Sequence, residues 1–250
     1  MRRFAPGLVV GLMVVSLAAC GGSSAPAGSK TAQVGDLQGQ KPTQVIAAAE
    51  AAAKAAGSVR YVLVARDGSQ TQTIQGVAGT DEAQQTVTEG TQKVSVTYVG
   101  GVAYVQGNAG GLASAMGLSS SVAAQYAGKW IAIQSTDSLH KSIVQAVTLT
   151  ATLSQLIPTA PLEFASPTTI GGRQALAVKG SLPKGTASGV SGSTTLYVAA
   201  SKPVVPLRFT GSASTGVSDT CTFSQWGTAI SLTAPTGAIP FSSLPKSKSS

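Results

Sequence analysis

From residue 59 to residue 106 the chain falls into β-branched and alternating runs separated by glycine-containing turn sequences. Val94, Val96 and Tyr98 fall on one parity, and Lys93, Ser95 and Thr97 on the other. Successive side chains of a strand point to opposite faces, so this pattern makes a sheet with one apolar and one wetted face. Residues 59–66, 70–79, 84–89, 93–99 and 102–106 therefore read as consecutive strands. Asp67-Gly68-Ser69, Gly79-Thr80-Asp81, Gly90-Thr91 and Gly100-Gly101 separate them. Residues of these types tolerate the positive φ of tight hairpins, and an antiparallel meander follows.

Around this meander the period changes. Residues 45–56 are Ala-rich, with Glu50 and Lys54 spaced i,i+4. They predict a helix capped by Thr43 and ended by Gly57. Val45, Ile46, Ala49, Ala53 and Ala56 give it a narrow apolar face of small residues, suited to close packing on a sheet. Residues 108–128 suggest short helices, and residues 128–133 a short strand. A helix capped by Asp137 or Ser138 follows, running along Leu139, Ile143, Val147 and Thr150 toward Leu153, Ile157 and Pro158. Thr148, Thr150 and Thr152 lower its propensity, so a break is expected there. Strands return at residues 163–170, 174–180, 194–199, 204–212 and 220–226, with a last one at 229–233. Pro203 and Pro206 confine residues 204–209 to an edge, or to positions whose N–H groups are not needed.

The leader says where such a domain works. Arg2 and Arg3 precede an apolar run over residues 8–19, which is about the length of a signal-peptide core and shorter than a membrane span of ~20 residues. It ends in Leu17-Ala18-Ala19-Cys20, followed by Gly21-Gly22-Ser23-Ser24. This resembles a bacterial lipobox, at which diacylglycerol is attached to the cysteine and the preceding peptide removed. The plainer alternative is an ordinary secretory signal cleaved near Ala19. Two acyl chains hold a protein stably at a membrane, at about 0.8 kcal/mol per buried CH2. The resemblance implies residues 1–19 as signal peptide and Cys20 as the lipidation site. The protein would then be lipid-anchored on the extracytoplasmic face of the cell membrane. Residues 20–40, rich in Gly, Ser, Ala and Gln, read as a flexible tether with a span of roughly 25 Å. Residues 41–240 are expected to form one domain and residues 241–250 a disordered tail.

Charge and cysteine content narrow the function classes. The formal charge is +8, but residues 42–245 carry eleven basic against eight acidic side chains. That surface is only weakly basic and does not suit nucleic acid. With Cys20 lipidated, Cys221 has no intramolecular partner, and Thr220-Cys221-Thr222-Phe223 places it beside Phe223 on a buried face as an inert thiol.

Catalysis finds little support. His140 is the chain's single histidine and cannot form a metal cluster alone. Ser138-Leu139-His140-Lys141 matches the S-x-x-K pattern that activates serine in penicillin-binding proteins, but so do residues 181–184 and 243–246. The accompanying S-D-N and K-T-G sequences are absent. The acids are scattered singly, unlike a glycosidase pair or a calcium site. No catalytic residue, metal site or cofactor is expected.

The order of parts carries a further resemblance. Lipobox, tether and helix are followed by a meander with Tyr104 near a strand end. Gly128-Lys129-Trp130 then opens a strand before further helices. Pro203-Val204-Val205-Pro206-Leu207-Arg208 lies in the second set of strands. Phe223-Ser224-Gln225-Trp226-Gly227 precedes Ala234-Pro235. Over about residues 42–240 the chain resembles the actinobacterial LppX/LprG-type lipoproteins, which share a half-barrel fold with the lipoprotein carrier LolA. The resemblance implies an α+β fold, a curved antiparallel β-sheet wrapped over a few α-helices with an apolar cavity between them. It also implies binding or carriage of a lipid or glycolipid. The alternation offers Leu63, Val96, Tyr98, Leu176, Val178, Leu196, Val198, Leu207, Phe209 and Phe223 as inward residues, facing Ile143, Val147 and Leu153. Alternation fits a filled core as readily as a hollow one, and a filled core is the simpler reading. The small Ala, Val and Gly side chains of the helices argue for incomplete filling. The alternative function is an envelope protein-interaction or stress-sensor module with a solid core and no small ligand.

Overall fold

The structure, a computed structural model, describes residues 37, 39–154, 156–183 and 190–245. Helix α1 (Pro42–Ala56) opens the fold. A meander follows: β1 (Ser58–Asp67), β2 (Gln70–Gly79), β3 (Ala83–Glu89), β4 (Gln92–Val99) and β5 (Val102–Gly107). Helices α2 (Ala109–Met116) and α3 (Ser120–Tyr126), strand β6 (Ile131–Ile133), and helices α4 (His140–Val147) and α5 (Leu149–Ser154) come next. A second meander, β7 (Thr159–Ile170), β8 (Arg173–Ser181), β9 (Gly192–Ala199), β10 (Pro206–Ala213) and β11 (Ser218–Ser224), leads to β12 (Ile239–Pro240).

Among the described residues, twelve strands form one unclosed, curved sheet, in the order β12-β6-β5-β4-β3-β2-β1-β11-β10-β9-β8-β7. Every pairing is antiparallel except β12 with β6. The two meanders meet where β1 pairs with β11, in the register Leu63↔Cys221. Helix α1 buries Val45, Ile46, Ala49 and Ala53 against β1 and β7–β10, in one apolar cluster with Leu149 and Leu153 of α5. Each large aliphatic side chain so buried contributes roughly 1.5–3 kcal/mol. Helices α2, α3 and α4 cover β3–β6 through a second cluster built on Leu112, Met116, Ala123 and Val147. The half-barrel wrapped over helices is thus borne out.

Several local expectations need correction. Helix α1 starts before Thr43. Pro42, with its φ preset and no N–H to leave unpaired, takes the first turn, and the Gln44 side chain accepts the Lys41 N–H at 2.8 Å. Neither Asp137 nor Ser138 caps α4: Leu139 is at its start, and Asp137 instead accepts the Gln134 N–H at 2.7 Å. The Thr-rich stretch does break, at Thr148, whose ψ is 154°. Of the two placements expected for residues 204–209, the second holds: β10 is an interior strand. It tolerates Pro206 because that residue is its first, at a bulge against β9. Residues 229–233 form no strand. They run over the sheet's outer face, where the Glu82 carboxylate accepts the Leu232 N–H.

The packed chain extends past both expected domain limits. Leu37 joins the first cluster, and Leu244, after a 3-10 turn at Phe241–Ser243, joins the second. The expected signal peptide at residues 1–19, the expected lipidation site Cys20, the expected tether as far as residue 36 and residues 246–250 lie outside the described residues.

Candidate functional site

The helix-covered face carries an apolar row that runs straight across the sheet. From β4 to β8 its members are Val94, Val87, Ile74, Leu63, Cys221, Phe209, Leu196 and Val178, each the register partner of the next. On either side of its centre the row is buried: Val94 in the second cluster, and Cys221 to Val178 in the first, with Phe164 of β7, 46% exposed, following Val178 in register. The centre is not. Leu63, Ile74 and Val87 are only half-buried, although they face the helices. Apolar side chains left partly open on an inner face, between two packed clusters, are the natural contact for an apolar ligand.

A polar row flanks the apolar one on the same face. Glu89, Gln72, Ala65, Asp219, Gly211 and Thr194 succeed one another in register. Gln72 donates to Glu89 at 3.0 Å. The Asp219 carboxylate lies over Gly211, where an added Cβ would collide with Oδ1. That oxygen is buried and has no hydrogen-bond partner. Burial pushes the Asp219 carboxyl above the usual carboxylate range, while the backbone N–H groups of Asp219 and Gly211 act in the opposite sense. Two residues on, burial and then the negative charge of Asp219 push the Cys221 thiol up to about 12. The inert, buried thiol expected from the sequence is what the fold provides.

On the other flank, Tyr61 reaches across Gly76 of β2 and donates to Gln85 Oε1 at 2.7 Å. Gly76 is needed there, because a Cβ would meet the Gln84 carbonyl and the Gln85 side chain. Burial raises the Tyr61 phenol well above its ordinary value, with Cys221 adding to the shift, so it is a neutral donor at any physiological pH. This satisfied pair is the polar feature between the two clusters.

The expected lining residues divide among three clusters. Leu153, Val178, Leu196, Val198, Phe209 and Phe223 are buried in the first, with Leu63 and Leu176 packed against it half-exposed. Val96 and Val147 are buried in the second, with Tyr98 and Ile143 at its margin. Leu207 lies in a third, with Val205 and Ala199. Sequence reasoning missed Ile74 and Val87, which alternation within 70–79 and 84–89 would have found. It also missed the polar row, because polar residues were assigned outward by default.

The residues weighed for catalysis do not assemble. His140 Nε2 lies 2.9 Å from the Gly101 carbonyl, and the ring meets Tyr98 edge-on at 6.2 Å. Ser138 and Lys141 are exposed. Among the described residues no three His, Cys, Asp or Glu side chains gather as metal ligands do. Likewise, no helix there is long and apolar enough to cross a membrane.

No protein-family model matches the chain, and no curated protein matches it. Solved structures do. The Mycobacterium tuberculosis lipoprotein LppX matches with a TM-score of 0.50 at 15% identity, over 76% of this chain and 97% of that one. LprF from Mycobacterium bovis matches with a TM-score of 0.50 at 14% identity, over 78% of this chain and 97% of that one. At such identities the likeness is one of architecture, and in architecture the chain is similar to the actinobacterial lipoproteins of the LppX/LprG type.

Proposed function

We propose that the protein is a lipoprotein, anchored through Cys20 to the extracytoplasmic face of the cell membrane, that binds or carries a lipid or glycolipid. The acyl part lies along the apolar row, over Leu63, Ile74 and Val87. The observation that carries this reading is that row: continuous from β4 to β8, with a half-buried centre between buried flanks. Its likeness in fold to two lipoproteins and the Leu-Ala-Ala-Cys sequence support it. Binding, not turnover, is the activity assigned.

One observation favours a second reading, an envelope interaction or stress-sensing module with no small ligand. Nine of the thirteen expected lining residues are buried in packed clusters. Native mass spectrometry of the purified protein, paired with organic extraction, separates the two. A stoichiometric lipid adduct supports carriage and names the ligand class. A clean apo mass, with no uptake of added phospholipid or glycolipid, overturns it in favour of the module.

A further inference from the structure

The outer face holds a separate space. After β11 the chain crosses that face toward the far edge, and three bonds fasten it near the ends of β1–β3. The Gly227 N–H donates to the Ser58 carbonyl at 3.0 Å, Ser58 Oγ donates to the Thr228 carbonyl at 2.6 Å, and the Leu232 N–H donates to Glu82 at 3.0 Å. Between this strap and the strands lies a cavity of about 440 Å³. The volume falls within the ~300–1,000 Å³ of small-molecule sites.

Its lining has a definite chemistry. Val62, 42% exposed, and Val77 of the strands, with Ile230 and Leu232 of the strap, are among its apolar surfaces. Gln75, Gln84 and Gln225 line it with amides. Among the described residues, Arg60 is the one charged residue in its wall. Gln225 accepts from Arg60 Nε at 2.9 Å, which fixes the guanidinium plane and leaves its terminal nitrogens to donate elsewhere. The row continues from Val62 through Thr222 to Arg208, whose Nε is buried with no hydrogen-bond partner. Glu82 holds the strap and does not line the space.

A fixed guanidinium with free donors and no opposing carboxylate selects an anion. Neutral amides beside it donate to and accept from hydroxyls. We propose that this cavity binds a small phosphorylated, hydroxyl-bearing ligand: a sugar or polyol phosphate, free or as the headgroup of a lipid. Arg60 takes the phosphate, and Gln75 and Gln84 take the hydroxyls. The site lies on the face opposite the apolar row and does not depend on the lipid-carrier reading.

Equilibrium dialysis of the full chain in a zwitterionic detergent tests it, with glucose 1-phosphate and glucose as probes. Saturable binding of glucose 1-phosphate is expected, with glucose weaker by about tenfold or more, because a charge-assisted bond is lost. Arg60→Ala should weaken glucose 1-phosphate to the level of glucose. Gln84→Ala should weaken both probes. Arg60 and Gln84 are exposed, so an unchanged unfolding midpoint verifies that each variant is folded. No saturable binding at millimolar probe, or binding that Arg60→Ala leaves unchanged, overturns the proposal. Displacement of bound glucose 1-phosphate by phosphatidylglycerol but not phosphatidylcholine, each added as mixed micelles in the same detergent, assigns the headgroup as the source. Binding that survives both assigns the free phosphate.

Discussion

The Tyr61 phenol donates to the Gln85 side-chain oxygen at 2.7 Å, across the strand that separates them. The partners are 4% and 8% exposed, so water cannot replace either one. Tyr61→Phe leaves the Gln85 amide oxygen unpaired and should cost about 1–3 kcal/mol. Replacing both, as Tyr61→Phe with Gln85→Leu, should recover part of that loss, since no orphaned group remains. Urea midpoints of the three proteins measure this, and a double variant no better than the single would refute it.

Asp219 bears on stability through pH. Its folded-state pKa is raised, so the native state holds the proton more tightly than the unfolded chain does. The resulting stabilisation is full below the ordinary value of about 3.9 and is lost as pH rises through the folded value. Asp219→Asn removes that loss. The variant should be more stable than the parent at about pH 7, and the gap should close at about pH 3. Urea titrations at the two pH values decide it, and a gap of equal size at both would count against the assignment.

Cys221 shifts in the same direction at the alkaline end, with its thiol pushed up to about 12. Its contribution is full below the ordinary thiol value of about 8.5 and declines as pH rises toward the folded one. Iodoacetamide at about pH 8 should leave Cys221 unmodified in the native protein and label it fully in urea, as read by peptide mass mapping. Between about pH 8.5 and pH 10.5 the parent should lose more stability than Cys221→Ala does. Rapid native labelling would show that the thiol is not sealed.

The open centre of the apolar row gives a ligand-specific test. Ile74→Asp places a carboxylate among Leu63, Val87 and Ile74's other neighbours without opening a fully buried site. Lipid recovered with the purified variant should fall about tenfold or more, because the charge would have to be desolvated against an acyl chain. Thr88→Asp, exposed on the outer face and outside the strap cavity, is the control and should leave lipid recovery unchanged. Equal lipid in Ile74→Asp and parent would remove the row from the binding site.

What the sequence disclosed follows the range of the forces involved. The first meander was legible because Gly68, Gly90, Gly100 and Gly101 sit at positive φ between alternating runs, and both signals are local. The interior placement of Pro206 was not, because it depends on a bulge against β9. Residues 229–233 resemble a strand in composition, but their backbone meets Glu82 and not a strand partner. At the candidate site, Leu63, Phe209 and Leu196 were found by alternation. Their alignment with Ile74 and Val87 depends on cross-strand register, which alternation does not fix across distant strands. Asp219 was missed because alternation counts every acid as outward, whereas Gly211 leaves room for this one.

The pairing of β1 with β11 also governs how the chain is completed. Arg60 and Gln225, hydrogen-bonded at this junction, are 165 residues apart. A chain emerging N-terminus first makes β1 to β6 early, yet β1, ten residues long, keeps one edge unpaired until residues 218–224 arrive. An open edge of that length invites pairing with other chains, and closing so large a loop is slow. Strand β11 is therefore the keystone of assembly. Until it docks there are two unfinished half-sheets, and substitutions at Cys221 or Phe223 should reduce yield before they reduce function.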